Sequence, residues 1–441
     1  MDNENSFYQK HGTSILAVFA IALTALDVLY LTIYRDVFIS PMVSFLSGTF
    51  ICVFALVAFD RKRVEDFTLG KYQLSILRIL AIIIPLAIGI YITAPMLSEL
   101  ITKYPVDHKY SDILPALQNI YIDRFIHGEN VYEVYEKFGN PLYPNYLPMQ
   151  WLPYLVAHGL GIDYRWIAYA IFIFALVLWA VRLLKKPIHW LEILLKVALP
   201  FLALYPLLIY RKSSFGSSVE LTIVGYYLIL AYTLFKKSTI TRSVGILLPL
   251  LSRFSFLFWL VFYAISSFLT ERQNAIKIIK WTTIGVVLLY VLPFFLREPN
   301  AFFDGLGYYK KASLFEWHTR HWQTPGDYPF HLKNGVSFSV YFYEYIDGTL
   351  EERFYLATLF HKIMSISAAL LISLFFWKRK GSDLRLTALV GLKLCITWFY
   401  AFLSLPFFYL YLLPVFLSFV IIFEMNIFSI SRKFELNSKK N

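Results

Sequence analysis

Cysteine is nearly absent from this chain. Cys52 and Cys395 are the only two in 441 residues, and both fall inside apolar runs. That excludes a disulfide framework and a thiolate metal site. Charge is scarce as well, at 16% of residues. There is no low-complexity tract, no internal repeat and no N-x-S/T sequon. A Walker loop, a dinucleotide fingerprint, an HExxH pair and an Asp-x-Asp signature are all missing, so nothing signals nucleotide, dinucleotide or metallopeptidase chemistry.

What the chain has in abundance is apolar length. Hydrophobic residues make up 58% of it, and the mean hydropathy of +0.58 lies far above the globular range. Runs of roughly 17 to 25 apolar residues recur, each long enough to cross about 30 Å of hydrocarbon. The clearest cover 14–34, 41–59, 74–96, 166–183, 193–210, 219–235, 281–296, 363–377, 386–403 and 406–423. The first is too long for a signal-peptide core and leads straight into a second span, so a retained helix is expected.

The net charge of +12 raises nucleic acid as a partner, but its distribution argues against that. Basic residues cluster in short connectors: Arg61-Lys62-Arg63, Arg182 with Lys185-Lys186, Lys236-Lys237 with Arg242, Arg272 with Lys277 and Lys280, and Lys378-Arg379-Lys380. The tail adds Arg432, Lys433, Lys439 and Lys440. With all of these cytoplasmic, the positive-inside rule yields one topology with both termini inside. Arg211-Lys212 is the exception, falling outside on the same map. Anionic headgroups, not DNA, are the partner this charge implies.

The same topology puts two long polar segments outside, 97–147 and 297–353. It also makes 148–159 an interfacial segment, and it makes 243–269 a pair of short helices turning at Ser252-Arg253. The expected fold is therefore an all-α integral-membrane protein with about 12 transmembrane or half-spanning helices. Two large extracytoplasmic loops would carry interfacial helices. Residues 1–73 would form an N-terminal helix pair with its cytoplasmic loop, and 74–441 the main membrane domain.

Chemistry-bearing residues concentrate in the outer loops. Ser111-Asp112, then Pro115, then Leu114, Leu117, Tyr121 and Phe125, and finally Gly128, describe an amphipathic surface helix with a cap, an early proline and a glycine stop. Asp112 reads equally as an N-cap and as a general base at the membrane surface. Asp107 is the competing carboxylate. Asp123, Glu129, Glu133 and Glu136 read as a solvated face. In the second loop, Lys310-Lys311 precede Trp317, His318, Arg320, His321 and Trp322. Alternating aromatic and basic residues suit either a sugar-and-phosphate surface or an interfacial aromatic belt. His318 and His321 lack a third ligand, so no metal is expected. Arg253 either snorkels to headgroups or meets an anionic substrate. Asp27 and Glu220 read as interfacial or helix-packing residues.

The run S-D-I-L-P-A-L-Q-N-I-Y-I-D-R-F-I-H-G-E-N-V-Y, followed by N-P-L-Y-P-N-Y-L-P-M-Q-W-L-P-Y-L, resembles the first outer loop of the glycosyltransferase C superfamily. It is most similar to the polyprenyl-phosphate-mannose-dependent transferases. There an acidic residue opens a surface helix, a Gly-x-Asn/Asp-x-Tyr turn follows, and a Tyr-x-Pro segment starts an interfacial helix. Asp112, Gly128, Asn130, Tyr132, Tyr146 and Pro148 stand at those places. The likeness continues through 216–269, where Arg253 holds a position often basic. It reaches N-G-V-S-F-S from Asn334 and the closing segment 405–411. The two helices before residue 74 depart from the simplest layout.

The resemblance implies an inverting membrane glycosyltransferase, and the missing sequon favours a bacterial chain, which would place it in the cytoplasmic membrane. It would move a hexose, expected to be mannose, from a polyprenyl-phosphate donor to a glycolipid or glycan acceptor on the extracytoplasmic face. Asp112, or Asp107 in its place, would be the catalytic base. Arg253, Arg320, Lys310 and Lys311 would hold the donor phosphate. His318, His321, Trp317, Trp322, Tyr146 and Asn334 would meet sugar or acceptor. No cofactor or metal is expected, which fits the missing nucleotide motifs. The alternatives are a polysaccharide polymerase or flippase, which also carry large outer loops, and a secondary transporter. A transporter would show related halves and broken midplane helices.

Overall fold

The computed structural model describes residues 2–60, 75–107, 113–137, 140–319, 328–379 and 381–428. The described chain is helical, apart from one hairpin of β1 (Tyr135–Lys137) with β2 (Asn140–Leu142). Its principal helices are α1 (Asp2–Leu31), α2 (Ile39–Ala58), α3 (Ile76–Lys103), α4 (Tyr164–Lys185), α5 (Trp190–Tyr210), α6 (Glu220–Thr233) and α7 (Thr239–Leu250). After these come α8 (Phe256–Thr270), α9 (Arg272–Val286, continued in π-helical form over Val287–Phe295), α10 (Ala301–His318), α11 (Leu350–Lys378), α12 (Leu384–Ala401) and α13 (Leu412–Glu424). Eight helices among the described residues are long and apolar enough to cross a membrane: α1, α2, α3, α4, α5, α9 with its continuation, α11 and α12. Large apolar side chains point outward along them, such as Leu77, Ile83 and Tyr91 on α3 and Leu288 and Leu292 beyond α9. A multi-pass membrane protein is the class this defines.

Four further apolar helices are short. α6, α7, α8 and α13 have 14, 12, 15 and 13 residues. At about 1.5 Å per residue they reach only about 18–22 Å, well under the ~30 Å of hydrocarbon. Connecting segments at 211–219 (with one short helix, Lys212–Gly216), 251–255 and 402–411 take up the remaining depth. Irregular backbone at such a depth is tolerated only where protein buries it or a cavity lies beside it. Both conditions hold here, because these turns are largely buried and all three contribute residues to one cavity.

The two ends of the bundle differ in charge. At one end Glu424 pairs with Arg182 and Lys186, each at 2.7 Å. The fully buried Glu192–Lys196 pair grips the chain leaving α13: Lys196 Nζ donates to Met425 O at 2.5 Å, and Ile427 N donates to Glu192. Arg242–Glu271 and Arg379–Asp60 pair at the same end. Arg182, Lys186, Arg242 and Arg379 thus share one end with the connectors that carry them. The other end holds the long aromatic loops. There Arg165, 2% exposed, donates to Tyr104 O and Gly216 O and pairs with Asp163, tying α3, α4 and 212–216 together.

Several boundaries move from those expected. α11 begins at Leu350 rather than 363, because Thr349 and Glu352 form a reciprocal capping box there. α13 begins at Leu412, after a turn that contains Pro406. In the first outer loop the expected regular surface helix changes pitch: Ile113–Ala116 is α-helical, Leu117–Ile122 π-helical, and Asp123–Ile126 α-helical again. The wider turn shifts the buried stripe, so Ile120 and Ile122 are buried while Phe125 is 39% exposed. Gly128, at φ 72°, ends it as expected. Asp27 on α1 is buried and accepts from the Ser44 hydroxyl of α2, a helix-packing role.

Candidate functional site

The aromatic end encloses a cavity of about 520 Å³. Its floor is the α7–α8 turn. Leu251 O accepts from Met149 N at 2.9 Å, and Arg253 N donates to Pro249 O at 2.9 Å. The Ser255 hydroxyl sits 3.2 Å from both Tyr227 Oη and Tyr400 Oη. A turn held at so many points fixes the direction of Arg253.

Arg253 Nη2 lies 2.5 Å from Glu220 Oε2, the carboxylate that opens α6. Glu220 is almost fully buried, whereas the Arg253 side chain keeps 20% of its surface on the cavity side. The phenols of Tyr146, Tyr309, Tyr400 and Tyr409 lie close enough to feel the guanidinium charge. Burial pushes the Tyr309 phenol up, so it stays protonated. The pair is not saturated: Arg253 Nε and Glu220 Oε1 have no hydrogen-bond partner among the described residues.

The first outer loop forms one wall, and its motif residues serve to build it. Asn130 Oδ1 accepts from Tyr132 N at 3.2 Å, and its amide donates to Glu298 at 2.9 Å. Tyr132 Oη donates to Tyr146 O at 2.8 Å, while Tyr146 N donates to Tyr121 Oη at 2.9 Å. The Tyr121 and Tyr146 rings stack at 5.3 Å. Tyr132 and Tyr146 line the cavity, as does Ile113, the residue that follows Asp112 in sequence.

Of the residues singled out in the sequence, the cavity brings together Ser252, Arg253, Lys310, Tyr132 and Tyr146. Asp112, Arg320, His321 and Trp322 lie outside the described residues. Asp107 is exposed and does not line the cavity; nor does exposed Lys311. His318, half exposed, bonds Glu351 at 3.0 Å instead. Trp317 is fully buried in a small core with Leu332 and Phe354, and its indole N–H donates to Ser404 O at 2.8 Å. That position gives it packing to do and no open ring face. Asn334 is occupied by Arg35 at 3.1 Å, away from the cavity.

Other cavity residues carried no signal in the sequence. His331, Thr358 and His361 line it, and so do Tyr309 and Tyr400. Glu220, the buried partner behind Arg253, left a trace, as a carboxylate opening an apolar helix with an arginine in a later apolar turn. Among the described residues no three His, Cys, Asp or Glu side chains gather as a metal site. Comparison with family models, with curated proteins and with solved structures returns no match.

Proposed function

We propose that this chain is an integral-membrane, inverting glycosyltransferase that takes a hexose, mannose in the first instance, from a polyprenyl phosphate. The acceptor hydroxyl belongs to a glycolipid or glycan. The observation that carries this reading is Arg253, a half-buried cation that lines a tyrosine-rich cavity and whose Nε–H has no partner among the described residues. Guanidinium donors suit a phosphate, and Lys310 adds a second cation to the same cavity. Ile113, the residue that follows Asp112 in sequence, lines the cavity wall.

In the proposed step, the acceptor oxygen bonds to the anomeric carbon as Asp112 takes the hydroxyl proton. The anomeric C–O bond breaks on the opposite side, and its electron pair leaves with the polyprenyl phosphate. Arg253 stabilises that leaving charge. The gathering of basic connectors at one end supports a topology with both termini in the cytoplasm and the cavity on the far face of the bacterial cytoplasmic membrane.

The test uses purified protein, radiolabelled polyprenyl-phosphate mannose and a membrane extract as acceptor pool. Transfer of label to a product that resists mild acid is expected. Absence of transfer from polyprenyl-phosphate mannose, glucose and galactose alike, with movement of a fluorescent lipid phosphate across vesicles, would favour the flippase reading.

A further inference from the structure

The cavity is chemically divided. Around Arg253, Lys310 and Glu298 its lining is charged; along α11 and 330–334 the lining side chains are polar but uncharged, with Glu316 behind His331 at 3.9 Å. His331, Thr358 and His361 line that second region. Each carries a buried side-chain atom without a hydrogen-bond partner among the described residues: His331 Nδ1, Thr358 Oγ1 and His361 Nε2. A buried donor or acceptor left unpaired is costly. Three in one cavity wall mark a surface whose partners come from elsewhere.

The character of that partner follows from the groups present. Burial pushes the His331 imidazole down to about 4, so it is neutral at ordinary pH. A neutral imidazole offers one donor and one acceptor nitrogen, and a threonine hydroxyl offers both roles. Such a set matches hydroxyl groups, which also donate and accept. It has no fixed positive charge with which to hold an anion. Aromatic rings stand directly beside it. Phe407 packs edge-on to His331 at 4.6 Å, and Phe399 edge-on to His361 at 4.5 Å. A saccharide ring presents hydroxyls at its rim and C–H groups on its faces, so alternating neutral polar groups and rings complement it.

We infer that His331, Thr358 and His361 form a saccharide-binding subsite for an uncharged, hydroxyl-rich ring, separate from the Arg253 region that takes phosphate. The inference rests on the glycosyltransferase reading for which substrate supplies the ring, donor hexose or acceptor glycan. It does not rest on that reading for the binding itself.

The experiment measures binding and turnover separately. Full-length protein in detergent is titrated with methyl α-mannoside and, independently, with farnesyl phosphate, following ligand-induced shifts in Tm. His361→Phe and Thr358→Val should each weaken the mannoside by about tenfold and leave farnesyl phosphate unchanged. Arg253→Gln should do the reverse. Thr358→Val is nearly isosteric and removes an orphaned hydroxyl, so its ligand-free Tm should hold or rise; it serves if His361→Phe fails to fold. In the transfer assay, a raised KM for donor alone assigns the ring to the donor hexose, and a raised KM for acceptor alone assigns it to the acceptor. Wild type that shows no mannoside shift overturns the subsite, as does a folded Thr358→Val that binds mannoside like wild type. A mannoside shift that these variants abolish, in a protein that transfers no sugar, upholds the subsite and sinks the transferase reading.

Discussion

The Arg253–Glu220 pair separates a structural role from a substrate-binding one. Two unit charges about 4 Å apart attract by about 4 kcal/mol at an effective dielectric of about 20. Desolvation offsets much of that, so the whole pair is close to neutral in stability, while breaking it from one side costs about 3–5 kcal/mol. The geometry makes the two sides unequal. Glu220 is almost fully buried, and Arg253 keeps a fifth of its side chain exposed on the cavity. Arg253→Met strands the buried carboxylate and should reach the upper part of that range, about 4 kcal/mol. Glu220→Gln leaves an arginine that still meets the cavity, and should cost about 1–3 kcal/mol. The double variant should recover most of the loss, giving a coupling energy of about 2 kcal/mol or more. Thermal unfolding in detergent reads the stability arm, and transfer from polyprenyl-phosphate mannose reads the functional arm. If Arg253 holds the leaving phosphate, the double variant regains its Tm but not its activity. A double variant that regains both would show that the arginine serves only to neutralise Glu220. Additive losses in Tm would refute the coupling itself.

Other consequences are as direct. His331 carries a pH signature: its folded value near 4 lies below the ordinary 6.5, so the unfolded chain takes the proton first as pH falls. Its contribution is complete above about 6.5 and lost on the way down to about 4, by up to roughly 3 kcal/mol. Glu316, 3.9 Å from Nε2, faces the same ring, and Glu316→Gln should steepen the loss; denaturation of His331→Gln should show a shallower acid limb than wild type. A Cβ at Gly335 would lie 2.1 Å from Pro406 O, so Gly335→Ala should cost about 1–3 kcal/mol and lower Tm measurably. For topology, exposed Lys237 and Tyr345 replaced singly by cysteine should label with an impermeant maleimide from opposite faces, since Cys52 and Cys395 are buried. Labelling of both from one face would reject the topology.

What could be read from the sequence was what periodicity and charge encode locally. The apolar runs announced the long helices, and Ser252-Arg253 announced a turn between α7 and α8, because a charge interrupts an otherwise continuous apolar segment. Gly128 announced the end of the surface helix, because it adopts a positive φ there. What could not be read depends on tertiary assembly. The pairing of Glu220 with Arg253, 33 residues apart, follows from how α6 packs beside the α7–α8 turn. Trp317 and Trp322 look alike in sequence, yet Trp317 is enclosed by Leu332 and Phe354. His331 and His361 sit in unremarkable sequence and meet only because 330–334 and α11 border the same cavity. The π-helical turns at Leu117–Ile122 and Val287–Phe295 have no signature in apolar spacing, and the second sets Tyr290, Phe294 and Phe295 on the cavity.

The decisive measurement is sugar transfer by Asp112→Asn against wild type, with both proteins at matched Tm. Asparagine caps a helix about as well as aspartate but accepts no proton. Transfer should therefore fall by about 10²–10⁴-fold while unfolding stays unchanged. Equal transfer by the two proteins would contradict base catalysis by this residue.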